Sequence, residues 1–356
     1  MKKPAVKVSY NDLRALVEDL LSAWGLDTSQ SAETAQSILY ADLSGISSHG
    51  IQRLPFYRRC IAEGFVDIAS RPEVVRQTPS TALLDARRGL GQLAAAEGMR
   101  LAIALAAASG IGAVCVRDSN HFGTAGYYAA QASAQGLLGL CCTNSYPIMP
   151  ATFGSLPLIG SNPVAFAFPS SPHDFLYDAS STVVSLGRVE LYEKLGQRLP
   201  EPWGMDAQGL PTHDPSEIVG MSPEGGRGVY PLGGPFESTG GHKGYGQGLM
   251  VEILTAVLSG GLTAAGIADA GGVGACHFFA AIDLGCFGDP VQMRAELEGY
   301  CARLRSSNVH NPGQRVYIPG EKEAESRQRR LVEGLEFAAP IWEEFAGLLS
   351  DARVAH

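Results

Sequence analysis

The segment IGAVCVRDSNHFGTAGYYAAQASAQGLLGLCC, residues 111–142, decides the fold class of this chain. It contains a short apolar run over residues 113–116, an alanine-rich stretch over residues 126–135, and a second apolar run over residues 137–142. Short apolar runs bounded by glycine are typical of buried strands, and the longer alanine-rich stretch favours a helix. Because strands that alternate with helices usually form layers, the segment predicts an α/β architecture.

The alternation continues on both sides of this segment. We predict strands over residues 81–85, 164–168, 176–178 and 277–284, and helices over residues 92–109, 185–195 and 246–258. Both chain ends have helical spacing instead, and we predict helices over residues 13–24, 28–43 and 55–62 and within 291–349. The sequence therefore predicts an α/β domain over residues 81–289, and a helical domain built from residues 1–80 together with 290–356.

Composition excludes several classes of protein. The chain has 356 residues, 45% of them hydrophobic and 18% charged, which is enough apolar material for buried cores and argues against disorder. Its net charge of −9 gives no basic footprint for nucleic acid. Residues 119–173 contain no Asp, Glu, Lys or Arg, but glycine and proline interrupt them throughout, so we predict no membrane span. Seven cysteines without a CxxC pair, and no apolar leader after Met1, favour a reducing cytoplasmic location.

Common cofactor motifs are missing. Gly89-Leu-Gly91 precedes a predicted helix, but Ala94 stands where the third glycine of the dinucleotide fingerprint belongs. No Walker A, HExxH or EF-hand pattern occurs, and the histidines are too scattered to predict a metal site. A standard Rossmann domain is therefore not expected.

The first chemical cluster is Ser47-Ser-His-Gly-Ile-Gln-Arg53, at the end of a predicted helix. An arginine can hold a carboxylate with two parallel hydrogen bonds, and a histidine can exchange a proton with a neighbouring oxygen. His49 and Arg53 together would suit a 2-oxo acid. The alternative is that His49 only caps the helix and Arg53 lies on a solvated face.

Further polar clusters follow predicted strands or precede a helix. Asp118-Ser-Asn-His-Phe-Gly-Thr124 follows a buried strand, where ligand sites of α/β proteins are common, although it also reads as an ordinary turn. Thr143-Asn-Ser145 and Gly160-Ser-Asn-Pro163 lie at strand boundaries and could hold a carboxylate or carboxamide. Gly240–Gly248 includes Lys243 and precedes an apolar helix, an arrangement that suits a phosphate as well as it suits a flexible loop.

Taken together, these clusters resemble the type-2 malate/L-lactate dehydrogenase family, a non-Rossmann group of NAD(P)-dependent oxidoreductases. The resemblance rests on motifs in family order over nearly the whole chain: Ser48–Pro55, Ser119–Gly123, Thr143–Ser145, Gly160–Pro163, Leu199–Pro215, His242–Gly246 and Pro319–Glu321. It implies a central mixed-sheet cofactor domain, a helical domain from both chain ends, and a homodimer. It also implies hydride transfer between NAD or NADP and a 2-hydroxy or 2-oxo acid.

The resemblance also implies roles for individual residues. His49 would be the acid/base beside Ser48, although members differ on whether the His49 or the His121 position carries the proton. The substrate would contact Arg53, Tyr57, Ser161 and Arg188. The cofactor would contact His121, Phe122, Gly123, Thr124, Asp178, Ala179, Ser180, Lys243, Gly244, Gly320, Glu321 and Lys322.

Two alternatives remain open at the level of sequence. One is reduction of cyclic or N-alkyl imines derived from amino acids; relatives with that activity usually carry Asp at the position of Arg188, so the cation favours hydroxy acids. The other is a binding protein that has lost its chemistry, against which the presence of His49, Arg53, His121 and Lys243 argues. The sequence indicates neither the side chain of the substrate nor a preference for NAD over NADP.

Overall fold

The computed structural model describes residues 5–219, 227–311 and 313–354. Its helices are α1 (Tyr10–Ala23), α2 (Thr28–Leu43), α3 (Leu54–Ala62), α4 (Gly91–Ser109), α5 (Ala125–Ser133), α6 (Leu186–Lys194), α7 (Gly241–Glu252), α8 (Ala264–Asp269), α9 (Pro290–Arg305), α10 (Glu321–Glu333) and α11 (Ala339–Val354). A π-helical turn, Ile253–Val257, continues α7.

The strands are short, apart from two that lie in the middle of the largest sheet. They are β1 (Val6–Val8), β2 (Glu73–Gln77), β3 (Thr81–Asp85), β4 (Ile111–Ser119), β5 (Leu137–Thr143), β6 (Met149–Pro150), β7 (Pro157–Ile159), β8 (Val164–Phe168), β9 (Phe175–Ala179), β10 (Gly204–Met205), β11 (Pro211–Thr212), β12 (Gly228–Val229), β13 (Ala275–Asp283) and β14 (Leu335–Phe337).

Seven strands form one mixed sheet in the order β2-β3-β4-β13-β5-β8-β9. Only β3 and β4 run parallel, and the other neighbours are antiparallel. The late strand β13 is inserted between β4 and β5, where Phe279 pairs with Val114 on one side and Cys141 on the other. The sheet therefore combines segments that are more than 100 residues apart in the sequence.

The two faces of the sheet are buried against different helices, because successive side chains of a strand point to opposite faces. Val114, Val116 and Phe279 pack with the alanine-rich helices α4 and α5 in the main core. On the other face, Cys115 and Phe278 pack with Val251 of α7. The alanines of α4 let that helix lie close to the sheet, which explains their abundance.

The two chain ends pack together. Strand β1 pairs with β14, placing Val6 opposite Phe337. A second core joins α1, α2, α3 and α11, with Leu13, Leu39 and Phe345 fully buried. Strand β2 nevertheless belongs to the central sheet, although its residues fall in the segment that the sequence assigned to the helical domain. The proposed domain division remains a prediction.

The predicted fold class is confirmed: helices pack on both faces of a central mixed sheet, and the alternation from residue 81 onward is present. Helix α2 matches its predicted bounds, whereas α7 begins at Gly241 rather than 246. Strand β2 went unpredicted because its two valines are adjacent, so the sequence lacks the apolar alternation of a half-buried strand, and all five residues are exposed. In the described ranges, no helix is long and apolar enough to cross a membrane.

Candidate functional site

Two short 3-10 turns, Ser47–His49 and Ile51–Arg53, carry the first cluster. The break at Gly50 places His49 and Arg53 on separate turns. The buried Asp42, near the end of α2, accepts a hydrogen bond from Ile51 N at 2.8 Å. A Cβ at Gly50 would overlap the Asp42 carboxyl, so only glycine permits this close packing.

His49 is enclosed by protein and faces His121. The two rings stack with centroids 5.6 Å apart, and His49 Nδ1 lies 2.9 Å from Ser48 Oγ. Burial, aided by the charge of Arg53, lowers the pKa of His49 to about 3. The imidazole is therefore neutral at physiological pH and can accept a proton.

His121 lies just beyond the carboxyl end of β4. Its Nδ1 is 2.8 Å from the hydroxyl of Tyr57, and burial, together with the charge of Arg53, holds its pKa well below the ordinary value. The next residue, Phe122, stacks on the buried His277 with centroids 4.6 Å apart. Tertiary packing therefore fixes both residues of the His-Phe pair.

His277 connects the ends of three neighbouring strands. Its Nδ1 lies 2.7 Å from Thr143 Oγ1 on β5, and its Nε2 lies 2.8 Å from Ser119 Oγ on β4. The side chain is fully buried, and burial lowers its pKa to about 3. A neutral ring between two hydroxyls thus holds the strand ends that lead to His121 and Asn144.

The loops at residues 143–145 and 160–163 meet beside these histidines. Ser161 N donates to Ser145 Oγ at 3.1 Å. Behind them, buried Glu252 accepts hydrogen bonds from Asn162 Nδ2 at 2.9 Å and from Asn144 Nδ2 at 3.2 Å. Glu252 is the last residue of α7, directly before the π-helical turn, so this helix anchors both loops.

These elements enclose a cavity of about 400 Å³, a size typical of small-molecule sites. Among the predicted site residues, those that line it are His49, Arg53, Tyr57, His121, Phe122, Gly123 and Ser161. The sequence analysis did not single out Phe56, Gly187 and Glu190, which also line it. The cavity thus combines His49 and His121 with two arginines, Arg53 and Arg59, and an apolar wall.

A second cavity of about 140 Å³ lies between α5 and the start of α10. Asp178 and Gly320 line it together with Gly126 and Glu323. Asp178 accepts a hydrogen bond from Gly126 N at 2.8 Å. Burial raises the pKa of Asp178 to about 6, although the bond from Gly126 opposes that shift. Two of the predicted cofactor residues therefore share a site that is separate from the histidines.

The remaining predicted residues lie outside the lining of both cavities. They are Ser48, which is buried behind His49, and Thr124, Ala179, Ser180, Arg188, Lys243, Gly244, Glu321 and Lys322. The exposed Arg188 lies over the ring of Tyr192, 6.0 Å from its centroid. Lys243 is exposed on the first turn of α7. The roles assigned to these residues remain predictions.

Sequence reasoning missed Glu252, a buried charge, and His277, a buried histidine, each of which lies within an apolar run. Glu252 is the one charged residue of the run LMVEILTAVL, and His277 interrupts the strand ACHFFAA. A lone polar residue in such a run must find a partner when it is buried, which was the available signal. The partner itself, on a distant segment, could not be read from the sequence.

Among the described residues, an unpaired buried hydroxyl lies next to the larger cavity, as a site for a polar ligand would offer. The buried hydroxyl of Thr124, at the start of α5, has no hydrogen-bond partner in the described chain, although buried hydroxyls are normally paired. Gly123, beside it, lines the cavity, so the first turn of α5 offers polar groups next to an apolar wall. No group of three or more His, Cys, Asp or Glu within residues 5–219, 227–311 and 313–354 is placed to hold a metal ion.

Comparison with known proteins agrees with this arrangement. A family model described as malate/L-lactate dehydrogenase matches residues 8–346. A malate dehydrogenase from Pyrococcus abyssi is 36% identical over 341 residues, covering 95% of this chain and 93% of that protein. A Δ1-pyrroline-2-carboxylate/Δ1-piperideine-2-carboxylate reductase from Pseudomonas putida is 33% identical over 257 residues, covering 72% of each chain. The crystal structure of a malate dehydrogenase from Entamoeba histolytica superposes with a TM-score of 0.95 at 32% identity, covering 98% of both chains.

Proposed function

The chain belongs to the malate/L-lactate dehydrogenase family, and on that basis we propose that its larger cavity oxidises a 2-hydroxy acid, or reduces the 2-oxo acid, with NAD or NADP. One observation carries the proposal: the neutral His49 and the cationic Arg53 line the same cavity. The nicotinamide, when bound, supplies a hydride acceptor or donor at its C4. The chain supplies the binding and proton-handling groups.

Arg53 would hold the substrate carboxylate, because a guanidinium binds a carboxylate through parallel charge-assisted hydrogen bonds. His49 would take the proton of the C2 hydroxyl on Nε2. In the tautomer that donates Nδ1–H to Ser48 Oγ, Nε2 carries the free lone pair. His121, held by Tyr57, would line the nicotinamide end together with Phe122 and Gly123.

The second cavity would take another part of the same cofactor. Asp178, at the end of β9, and Gly320, before α10, are the predicted cofactor residues that line it. Carboxylates accept hydrogen bonds from hydroxyl groups, so Asp178 would suit a ribose. We make no choice between NAD and NADP on this basis.

Reduction of a cyclic imine is the second candidate. The similarity to the Pseudomonas reductase favours it. Against imines, relatives with that activity usually carry Asp at the position of Arg188, and this chain has no carboxylate there. The two candidates share Arg53 as the carboxylate ligand, so only substrates can separate them.

We further propose a cytoplasmic homodimer. The seven cysteines are all free, as a reducing compartment requires. The stretch from α7 through the π-helical turn exposes Leu249, Met250, Ile253 and Val257, an apolar surface that a second copy would cover. Light scattering of the purified protein would measure the mass; a monomer across the micromolar range would contradict the dimer.

The test of the activity is nicotinamide absorbance with NADH and NADPH in parallel. The substrate panel holds pyruvate, oxaloacetate, 2-oxoglutarate, a β-branched oxo acid, pyruvate with methylamine, and a cyclic imine. We expect oxidation of one reduced cofactor with at least one oxo acid. Turnover with imines alone would establish the second candidate, and no turnover with any compound would contradict both.

A further inference from the structure

The guanidinium of Arg53 is held by two acceptors. Its Nε donates to the carbonyl oxygen of Ser48 at 3.0 Å, and its Nη2 lies 2.7 Å from Glu190 Oε2. Both side chains of the ion pair are largely shielded, with 13% of Arg53 and 24% of Glu190 exposed. The pair is therefore stronger and less screened than an ordinary surface contact.

Helix α6 is built to bring Glu190 to this position. Gly187, one turn earlier on the same face, packs directly on Arg53: a Cβ there would overlap Nη2 and lie 3.0 Å from Ser48 O. The Gly187 carbonyl also accepts a hydrogen bond from Gln52 Nε2 at 3.3 Å. Between them, Val189 is fully buried in a separate apolar cluster, which fixes the rotation of the helix.

The remaining end of the guanidinium is available for a ligand. Within the part of the chain that the structure describes, Nη1 of Arg53 has no hydrogen-bond or ion-pair partner. Arg53 and Glu190 both line the larger cavity. The two acceptors thus hold the Nε–Nη2 edge and leave the Nη1 end for a carboxylate.

We propose that Glu190 is a positioning residue that orients Arg53 toward the substrate carboxylate. This inference rests on the proposed function, in which Arg53 binds that carboxylate. Glu190 acts only through Arg53, so its loss should weaken binding of carboxylate ligands and leave binding of the cofactor unchanged. A guanidinium without Glu190 retains its charge but loses the acceptor that fixes its plane.

The experiment measures binding of oxamate, a stable analogue of a 2-oxo acid, to the enzyme–NADH complex by NADH fluorescence, with NADPH in its place if only that cofactor binds. Ethyl oxamate, which lacks the carboxylate, is the matched uncharged probe. For Glu190→Gln we expect the Kd of oxamate to rise about 3- to 10-fold, and for Glu190→Ala about 10- to 100-fold. The Kd of the cofactor and of ethyl oxamate should stay within about two-fold of wild type.

Two further variants make the test specific. Glu193→Gln removes one charge from an exposed position of the same helix and should change nothing. In the double variant Arg53→Leu/Glu190→Ala, oxamate should bind no more weakly than in Arg53→Leu, because the effect of Glu190 requires the guanidinium. A purely structural role of Glu190 would instead weaken cofactor binding as well and add to the Arg53 loss.

The outcomes separate the inference from the function that it rests on. If Arg53→Leu weakens oxamate binding while both Glu190 variants leave it unchanged, the inference is wrong and the proposed function stands. Tighter oxamate binding by Glu190→Gln would show that Glu190 competes with the substrate for Arg53, which also overturns the inference. If wild type does not bind oxamate, or Arg53→Leu binds it normally, the proposed role of Arg53 fails and the inference fails with it.

Discussion

At the scale of single residues, burial decides what the site can do. Burial lowers the pKa of His49 to about 3, and the nearby charge of Arg53 adds to this shift. A neutral imidazole is the form that accepts a proton from an alcohol, so this form of His49 suits oxidation of a hydroxy acid. Reduction would need the imidazole protonated, which the arriving negative charge of a substrate carboxylate favours.

Replacing Arg53 with Leu should lower kcat/KM by about 10²–10³, because a charged ligand of the substrate carboxylate is lost inside an enclosed cavity. The measurement is steady-state kinetics with the oxo acid that turns over in the panel. Arg58→Leu, at an exposed position of α3, is the matched control and should keep wild-type kinetics. Near-wild-type kinetics of the Arg53 variant would remove that residue from the site.

Replacing His49 with Ala should lower kcat by about 10²–10⁴, as expected for loss of a general base, while the Kd of NADH stays unchanged. Replacing His121 with Ala should mainly weaken NADH binding, because its ring lies beside Phe122 and Gly123. Stopped-flow turnover and NADH fluorescence measure the two effects separately. The opposite pattern would exchange the roles of the two histidines.

At the scale of secondary-structure elements, the site depends on contacts between ends of different elements. The end of α2 holds the turn of Ile51 through Asp42, and the end of α7 holds the loops of Asn144 and Asn162 through Glu252. Both anchors are buried carboxylates that accept hydrogen bonds from N–H groups. Each therefore gives a partner to a donor that would otherwise be buried without one. The anchors therefore fix the positions of these loops.

Replacing Asp42 with Asn should make stability less dependent on pH. Burial raises the pKa of Asp42 from 3.8 to about 7, so its stabilising contribution is full below pH 3.8 and is lost as pH rises through about 7. Asn keeps an acceptor for Ile51 N and carries no charge. Relative to wild type, the free energy of unfolding of the variant should therefore rise between pH 4 and pH 8, by up to about 4 kcal/mol.

Urea unfolding at several pH values measures this difference. Asp19→Asn, at an exposed position of α1, is the control and should show a flat difference. A flat difference for Asp42→Asn as well would mean that the carboxyl titrates normally in the folded chain.

At the scale of the whole molecule, the two chain ends complete one core. Phe345 of α11 is fully buried and packs in the same cluster as Leu13 of α1 and Leu39 of α2. The turn that carries His49 and Arg53 follows directly from α2, and Ile51 and Leu54 are buried in this cluster. The stability of the C-terminal helix and the order of the site are therefore linked.

Replacing Phe345 with Ala should lower the free energy of unfolding by about 3–5 kcal/mol, since a large buried ring leaves a cavity. Chemical denaturation measures the loss. Val332→Ala, at a position 88% exposed on α10, should stay within about 0.5 kcal/mol of wild type. A small loss for Phe345→Ala would show that the C-terminal helix does not support this core.

Much of the fold could be predicted because local patterns determine it. The apolar spacing gave α2 with its observed bounds, and the apolar runs gave β4, β5 and β8. The predicted bounds were less accurate where glycine-rich sequence begins a helix, as at Gly241 of α7. Strand β2 has no buried face, so its sequence gave no indication of its position at the sheet edge.

For the site, the sequence by itself determined which residues could carry chemistry, since His49, Arg53 and His121 occupy turns after helices or strands where side chains reach a ligand. Only the tertiary structure decided which of them meet: it placed both histidines and Arg53 in one cavity, left Arg188 exposed, and brought Glu190 to Arg53 across 137 residues of chain. The physical reason is that helix and strand signals are local, whereas ion pairs, pKa shifts and cavities depend on contacts between segments distant in sequence.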